Sequence, residues 1–238
     1  MPIAAADPEP IPPEHELKLA LPAARADAVL AWLRARCKPD PKYAHGRVTS
    51  VYFDNRGLAL LREKVNSDFI KQKVRLRWYE DPFTREPRGP GFVEIKRKVG
   101  GRRFKTRIQL DIDATELAAA GYNPRYLQQV LEPLRRAGHR MPSDLVPFLR
   151  VSFRRRRFVD PIGGARISLD TCIRGRSVGP GLLARAHPAA LAHAVLEVKG
   201  ARDSLPPWLA PLTRLGCRRE SFSKYARCYL KLTRQSSF

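Results

Sequence analysis

No run of about 18 apolar residues occurs in this 238-residue chain, so no helical membrane span is expected. The opening MPIAAADPEPIPPE has neither a basic leader nor a long apolar stretch, which argues against a secretory signal. Residues 1–13 read as a disordered, proline-rich tail, and 14–238 as a single domain, because no internal repeat or long linker divides them. Cysteine is scarce. Cys37, Cys172, Cys217 and Cys228 form no CxxC or Cys/His pair at ligand spacing, which argues against a zinc site and for free thiols in a reducing cytoplasm. The five histidines show no suggestive spacing. Acid is also in short supply, with 23 Asp and Glu against 45 Lys and Arg, a formal net charge of +22. That imbalance implies a polyanionic partner: nucleic acid, anionic lipid or polyphosphate. Net charge does not choose among them; its distribution can.

The distribution is clearest in Ile70–Glu80, IKQKVRLRWYE. Lys71, Lys73, Arg75 and Arg77 fall on one face of a strand, and Ile70, Val74, Leu76 and Trp78 on the other, with Gln72 among them. Like charges roughly 6–7 Å apart along a strand repel one another unless water or an anion lies over them. The pattern recurs. In Phe92–Val99, Glu94, Lys96 and Lys98 oppose Val93, Ile95 and Val99. After a Gly100-Gly101 turn, Arg103, Lys105, Arg107 and Gln109 oppose Phe104, Ile108 and Leu110. Glu14–Leu21, Val48–Asp54, Phe148–Val159, Arg166–Asp170 and Ala194–Lys199 also read as strands. Helices are expected from Pro22 to about Arg36, over Leu58–Lys64, through most of 113–138 with Gly121, Pro124 and Pro133 as interruptions, from Pro206, and from Ser221 to about Arg234. Asp54 reads as a cap for the turn at residues 55–57, and Trp78 and Trp208 as packing residues.

Strands with one apolar and one charged face allow two architectures. An open sheet would wet the charged face. A closed barrel of about eight strands would turn its apolar faces outward under helices and bring the charged faces around a central cavity. The pattern alone leaves both open. One detail fits the second: Glu16/Lys18, Glu94/Lys96 and Glu197/Lys199 each set a carboxylate two residues before a lysine. Cations hold phosphate oxygens, and grouped carboxylates suit Mg²⁺ or Mn²⁺.

Nine short pieces in order carry a resemblance: Glu14-x-Glu16-x-Lys18; Tyr52-Phe53-Asp54; Arg75-Leu76-Arg77-Trp78-Tyr79; Glu94-Ile95-Lys96; Lys105-Thr106-Arg107; Leu149-Arg150 with Phe153 and Arg155; Arg166-Ile167-Ser168-Leu169-Asp170; Leu196-Glu197-Val198-Lys199; and Ser221-Phe222-Ser223-Lys224-Tyr225. From Glu14 to Tyr229 the chain resembles the VTC domain, the polyphosphate polymerase module of the CYTH, or triphosphate tunnel metalloenzyme, superfamily. The resemblance implies an α+β fold, an eight-stranded antiparallel β-barrel tunnel with a charged interior and helices packed outside. It implies transfer of the ATP γ-phosphate to a polyphosphate chain with Mn²⁺ or Mg²⁺.

By the same resemblance, Arg75, Arg77, Lys96, Arg155, Arg166 and Lys224 are the expected catalytic cations, and Lys18, Lys105, Arg107, Lys199 and Ser223 the expected substrate-binding residues. Glu197 is the expected metal ligand, with Glu94, Glu16 and Glu14 assisting. Of the run Arg154–Arg157, Arg155 is expected inside the tunnel, with Arg154 and Arg156 facing elsewhere. The implied partners are ATP and inorganic polyphosphate or triphosphate, with no nucleic acid and no transmembrane segment. The implied compartment is the cytoplasm, and peripheral association with a membrane partner stays open. Phe153 departs from the family's usual Tyr. The SPX domain and membrane helices that accompany the module in the yeast complex have no counterpart in these residues. Two rival readings remain: a metal-dependent tripolyphosphatase or triphosphatase using Glu14 and Glu16, and a non-catalytic polyphosphate- or nucleic-acid-binding module. Trp78 and Phe104 alternate away from the charges, which counts against nucleic acid.

Overall fold

Alternating side chains build almost the whole molecule. The structure, a computed structural model, describes residues 15–100, 102–119, 123–178, 187–200 and 205–233. The expected tail, residues 1–13, and the candidate ligand Glu14 lie outside these. The strands are β1 (His15–Pro22), β2 (Lys38–Pro39), β3 (His45–Asp54), β4 (Ile70–Glu80), β5 (Pro87–Val99), β6 (Arg102–Asp113), β7 (Val146–Val159), β8 (Arg166–Ser177), β9 (Ala189–Ala190), β10 (His193–Gly200) and β11 (Arg218–Arg219). The helices are α1 (Ala26–Arg36), α2 (Ala59–Val65), α3 (Ala114–Ala119), α4 (Pro124–Gln129), α5 (Glu132–Arg136) and α6 (Lys224–Thr233).

Local chemistry explains one departure from the sequence reading. Pro22 ends β1 rather than opening a helix, and a 3-10 turn at Ala23–Arg25 leads into α1. The 113–138 stretch is three short helices, as its expected interruptions require: Pro124 starts α4, Pro133 lies in the first turn of α5, and neither can continue a preceding ladder. The segment after Pro206 is a 3-10 helix, Pro207–Leu215, with Pro211 inside it.

The strands form one antiparallel sheet in the order β11-β1-β10-β8-β7-β3-β4-β5-β6, with β2 on β7 and β9 on β8. The sheet curls, and its apolar face is the outer one. Val51, Phe53, Val74, Leu76, Trp78, Val93, Ile95, Ile108 and Leu110 pack under Leu117, Leu127, Leu131 and Leu134 of α3–α5 and its flanks. Leu17, Leu19, Leu21, Ile167, Leu169, Leu196 and Val198 pack under Val29 and Leu33 of α1 and under Leu209 and Leu212. A third cluster lies on the inner face, where Val48, Tyr52, Val151, Phe153 and Val195 meet Tyr225, Ala226 and Cys228 of α6. So α6 packs into one end of the interior.

The sheet is not closed into a barrel, and that expectation is corrected. Among the described residues no ladder joins β1 to β6. The outer edge of β1 is already occupied: Leu19 and Ala20 pair with β11, and the Glu220 amide donates to the Lys18 carbonyl at 3.0 Å. Across the seam the Arg103 guanidinium donates to the Glu16 carbonyl at 3.4 Å. Side chains, not a backbone ladder, link the two ends.

Candidate functional site

Register decides which side chains meet inside. Arg75 pairs with Glu94 and Lys73 with Lys96 across β4 and β5, then Glu94 with Arg107 and Lys96 with Lys105 across β5 and β6. On the other half, Lys18 pairs with Glu197, Glu197 with Ser168, and Arg155 with Asp170. These residues share the inner face and open on one cavity of about 730 Å³. Of the expected residues, Glu16, Lys18, Arg75, Arg77, Lys96, Lys105, Arg107, Arg155, Arg166, Glu197, Lys199, Ser223 and Lys224 line it. Glu94 lies beneath it, fully buried.

The charges resolve into two cages. On one wall Glu94 accepts from Arg75 Nε at 2.6 Å, lies 3.2 Å from Lys105 Nζ, and has Arg107 and Arg77 at 3.7 and 3.9 Å. Arg75 also donates to the Tyr52 hydroxyl at 3.1 Å, and Arg77 to Ser50 at 3.0 Å. Burial alone would raise the Glu94 carboxyl, but Arg75, Arg77 and Lys105 outweigh it and hold it well below the usual range. On the other wall Asp170 receives two bonds from Arg155, both 2.6 Å, and an ion pair from Lys224. Glu197 takes Arg155 Nη2 and Lys224 Nζ, each at 2.7 Å, with Lys18 at 3.9 Å. Burial opposes its ionisation; Lys224, Arg155 and Lys18 win, and its pKa falls well below ordinary. Glu16 pairs with Lys18 at 2.9 Å and with Lys199 at 3.8 Å. It ends at about 2, burial again being overcome, chiefly by Lys18.

Two lysines lack such compensation. Burial, Lys18, Lys64 and Arg75 push Lys73 down to about 7. Burial and Arg75 lower Lys96 well below its ordinary value, although Glu16 across the seam opposes this. Desolvated, mutually repelling cations facing one cavity are a site for a polyanion.

The first turn of α6 completes the wall. Ser223 Oγ accepts from Lys73 Nζ at 3.1 Å and from the Ala226 amide at 3.4 Å, and Lys224 points at the carboxylates. Its position is fixed from behind. Asp54 is fully buried and receives the Tyr225 hydroxyl at 2.7 Å together with the amides of Asn55, Leu60 and Leu61. Tyr225 also stacks on Tyr52, centroids 4.6 Å apart. Asp54 is therefore the expected turn cap and also the anchor for α6. Phe153 turns its ring into the cavity beneath Arg155 and Lys224, 5.2 and 4.8 Å from its centroid.

Several residues that shape the site were not among the expected site residues. Lys73 and Asp170 both stood on charged faces, so alternation carried the signal. Tyr52 and Arg157 carried weaker ones, since each belongs to a segment whose alternation is mixed. Arg154 is exposed and Arg156 lies on the outer face with it, as expected. Trp78 is buried and Trp208 is partly buried against the core, both as expected.

The expected carboxylates do not form one group: Glu94 sits in one cage, and Glu197 and Glu16 in the other. Among the described residues no three His, Cys, Asp or Glu side chains gather as a ready metal site. An all-oxygen donor set still suits Mg²⁺ or Mn²⁺, which keep several waters and use one or two carboxylates with substrate phosphates. Glu197 and Glu16, joined through Lys18, fit that pattern.

Comparison with known proteins follows the same lines. A family model described as the VTC domain matches residues 14–233. No curated protein matches the chain. Among solved structures, a candidate adenylate cyclase from Bacillus halodurans superposes with a TM-score of 0.51 at 12% identity, covering 88% of this chain and 93% of that one. At that identity the likeness speaks for the fold. No described helix is long and apolar enough to cross a membrane.

Proposed function

We propose, on the premise that the chain belongs to the VTC domain family, that its basic cavity binds the triphosphate of ATP and passes the γ-phosphoryl group to the end of a polyphosphate chain. The observation that carries the reading is the convergence of Arg75, Arg77, Lys96, Lys105, Arg155 and Lys224, from both walls, on one enclosed space. Phosphoryl transfer asks a protein for alignment and charge neutralisation more than for a covalent partner. Arg75, Arg77, Lys96 and Lys105 hold the β and γ phosphates. Arg155, Arg166 and Lys224 neutralise the transferring group and the acceptor end, with Lys18, Arg107, Lys199 and Ser223 at the margins. A terminal oxygen of the acceptor forms the new P–O bond, the β–γ bridging bond breaks, and ADP leaves with that electron pair. Glu197, with Glu16, would hold Mn²⁺ or Mg²⁺, which supplies charge neutralisation at the phosphate oxygens.

Among the described residues every buried carboxylate in the cavity is already ion-paired, so none of these is free to activate water, which favours transfer over hydrolysis. Incubation with labelled ATP and Mn²⁺, resolved by chain length, tests this. Lengthening polyphosphate is expected. Free phosphate alone would convert the reading to a triphosphatase, and neither product would remove it.

A further inference from the structure

The run Arg154–Arg157 serves two surfaces. Arg155 and Arg157 line the cavity, while Arg154 and Arg156 stand on the outer face of β7. Register extends the outer row, setting Arg47 of β3 opposite Arg154, and Arg176 of β8 opposite Arg150. Arg174 lies opposite Ser152 between them. Like charges placed directly across a ladder destabilise a sheet. Over much of the remaining outer face apolar residues are covered by helices, yet here Arg154, Arg174 and Arg176 are exposed. None of the three has an ion-pair partner among the described residues, whereas Arg47 and Arg150 share Glu80 at 2.9 and 3.6 Å. The repulsion registers: burial, Arg85, Arg150 and Arg154 lower Arg47 despite Glu80, and burial, Arg34 and Arg154 lower Arg156.

We infer that the outer face of β3, β7 and β8 is a second binding site, for an extended inorganic polyphosphate chain lying outside the cavity. The inference rests on the proposed function and adds the path of the chain beyond the reaction site. Continuity supports it. His45 lines the cavity, and its Nδ1 is 2.7 Å from Arg156 Nη1, so the outer row begins at the cavity rim. Composition supports it too. Single-stranded nucleic acid is held by exposed aromatics among the cations, and a membrane surface by an apolar wedge. Among the described residues the exposed large apolar ones, Tyr43, Phe69, Ile70, Phe83, Phe104 and Ile162, all lie off these three strands. Guanidinium groups repeating every second residue along a strand need only a row of phosphates to offset them.

The test uses the full chain, and compares it with the triple variants Arg154→Gln/Arg174→Gln/Arg176→Gln and Arg154→Lys/Arg174→Lys/Arg176→Lys. Binding of long-chain polyphosphate, tripolyphosphate, single-stranded RNA and phosphatidylserine vesicles is titrated at two salt concentrations. The glutamine variant is expected to bind long-chain polyphosphate at least tenfold more weakly, with a shallower salt dependence and unchanged tripolyphosphate affinity. The lysine variant is expected to keep most of the binding, which also controls for folding. Unchanged long-chain affinity in the glutamine variant overturns the second site while leaving the cavity reading intact. So does a loss confined to RNA or to vesicles. Failure of tripolyphosphate to bind the unaltered protein would instead defeat the cavity reading.

Discussion

Lys73 shows most directly how an inner-face residue is tuned. Its ammonium donates to Ser223, and among the described residues it has no ion-pair partner. Burial and the neighbouring Lys18, Lys64 and Arg75 bring it down to about 7. The folded value lies below the ordinary one, so above about pH 7 the ligand-free side chain is mostly neutral. A bound phosphate chain favours the charged form and restores the proton. Binding of tripolyphosphate is therefore expected to take up protons at pH 8 and to weaken as pH rises from 7 to 9. Titration calorimetry in two buffers of different ionisation enthalpy reads the uptake directly. Lys73→Met is expected to lower affinity about tenfold at pH 6.5, the worth of about one charge-assisted contact, and to remove its share of the proton uptake. An uptake unchanged by that substitution would assign the titration elsewhere, Lys96 being next in line.

At the scale of elements, α6 sets where Ser223 and Lys224 stand in the cavity wall. Its seat on β8 requires Gly175: a Cβ there would lie 2.6 Å from Cys228 Cβ. Gly175→Ala must push α6 outward, at a cost on the order of 1–3 kcal/mol for an overpacked interior. The expected outcome is a modest fall in Tm with a larger fall in kcat than in KM, because Lys224 moves away from Asp170 and Glu197. An unchanged kcat would show that α6 only plugs the fold. None of this was legible in the sequence beyond an amphipathic C-terminal segment, since the Gly175–Cys228 contact joins residues far apart in the chain. The strands were legible because alternation is local: β4, β5 and β6 each separate cations from apolar residues in steps of two. β7 was legible as a strand but its two faces were not separable by alternation, since Arg154 to Arg157 put cations on both. A helix start was misjudged where proline acted on geometry rather than pattern, at Pro22.

For the whole molecule, alternation could say that the charged faces exist but not which way they curve. The curvature comes from the outer clusters. Helices α1 and α3–α5 cover the apolar face in two patches and leave the cations to face one another. That arrangement carries a repulsive cost, which the paired carboxylates offset only in part and which a bound anion would relieve. The open seam between β1 and β6, where β11 takes the place of the closing ladder, lay beyond any local pattern. So did the separation of Glu94 from Glu197 and Glu16, because which strands become neighbours is settled by the packing.

The central claim is that two walls of the curled sheet grip one phosphate chain together. Isothermal titration of tripolyphosphate into the unaltered protein, Arg75→Ala and Arg155→Ala tests it, because these arginines stand on opposite walls and hold different carboxylates. The account predicts one binding event per chain, weakened about tenfold to a hundredfold by either substitution, as expected for loss of a charge-assisted contact of about 1.5–3 kcal/mol. Binding that persists undiminished in both variants, or that responds to one wall alone, would contradict it.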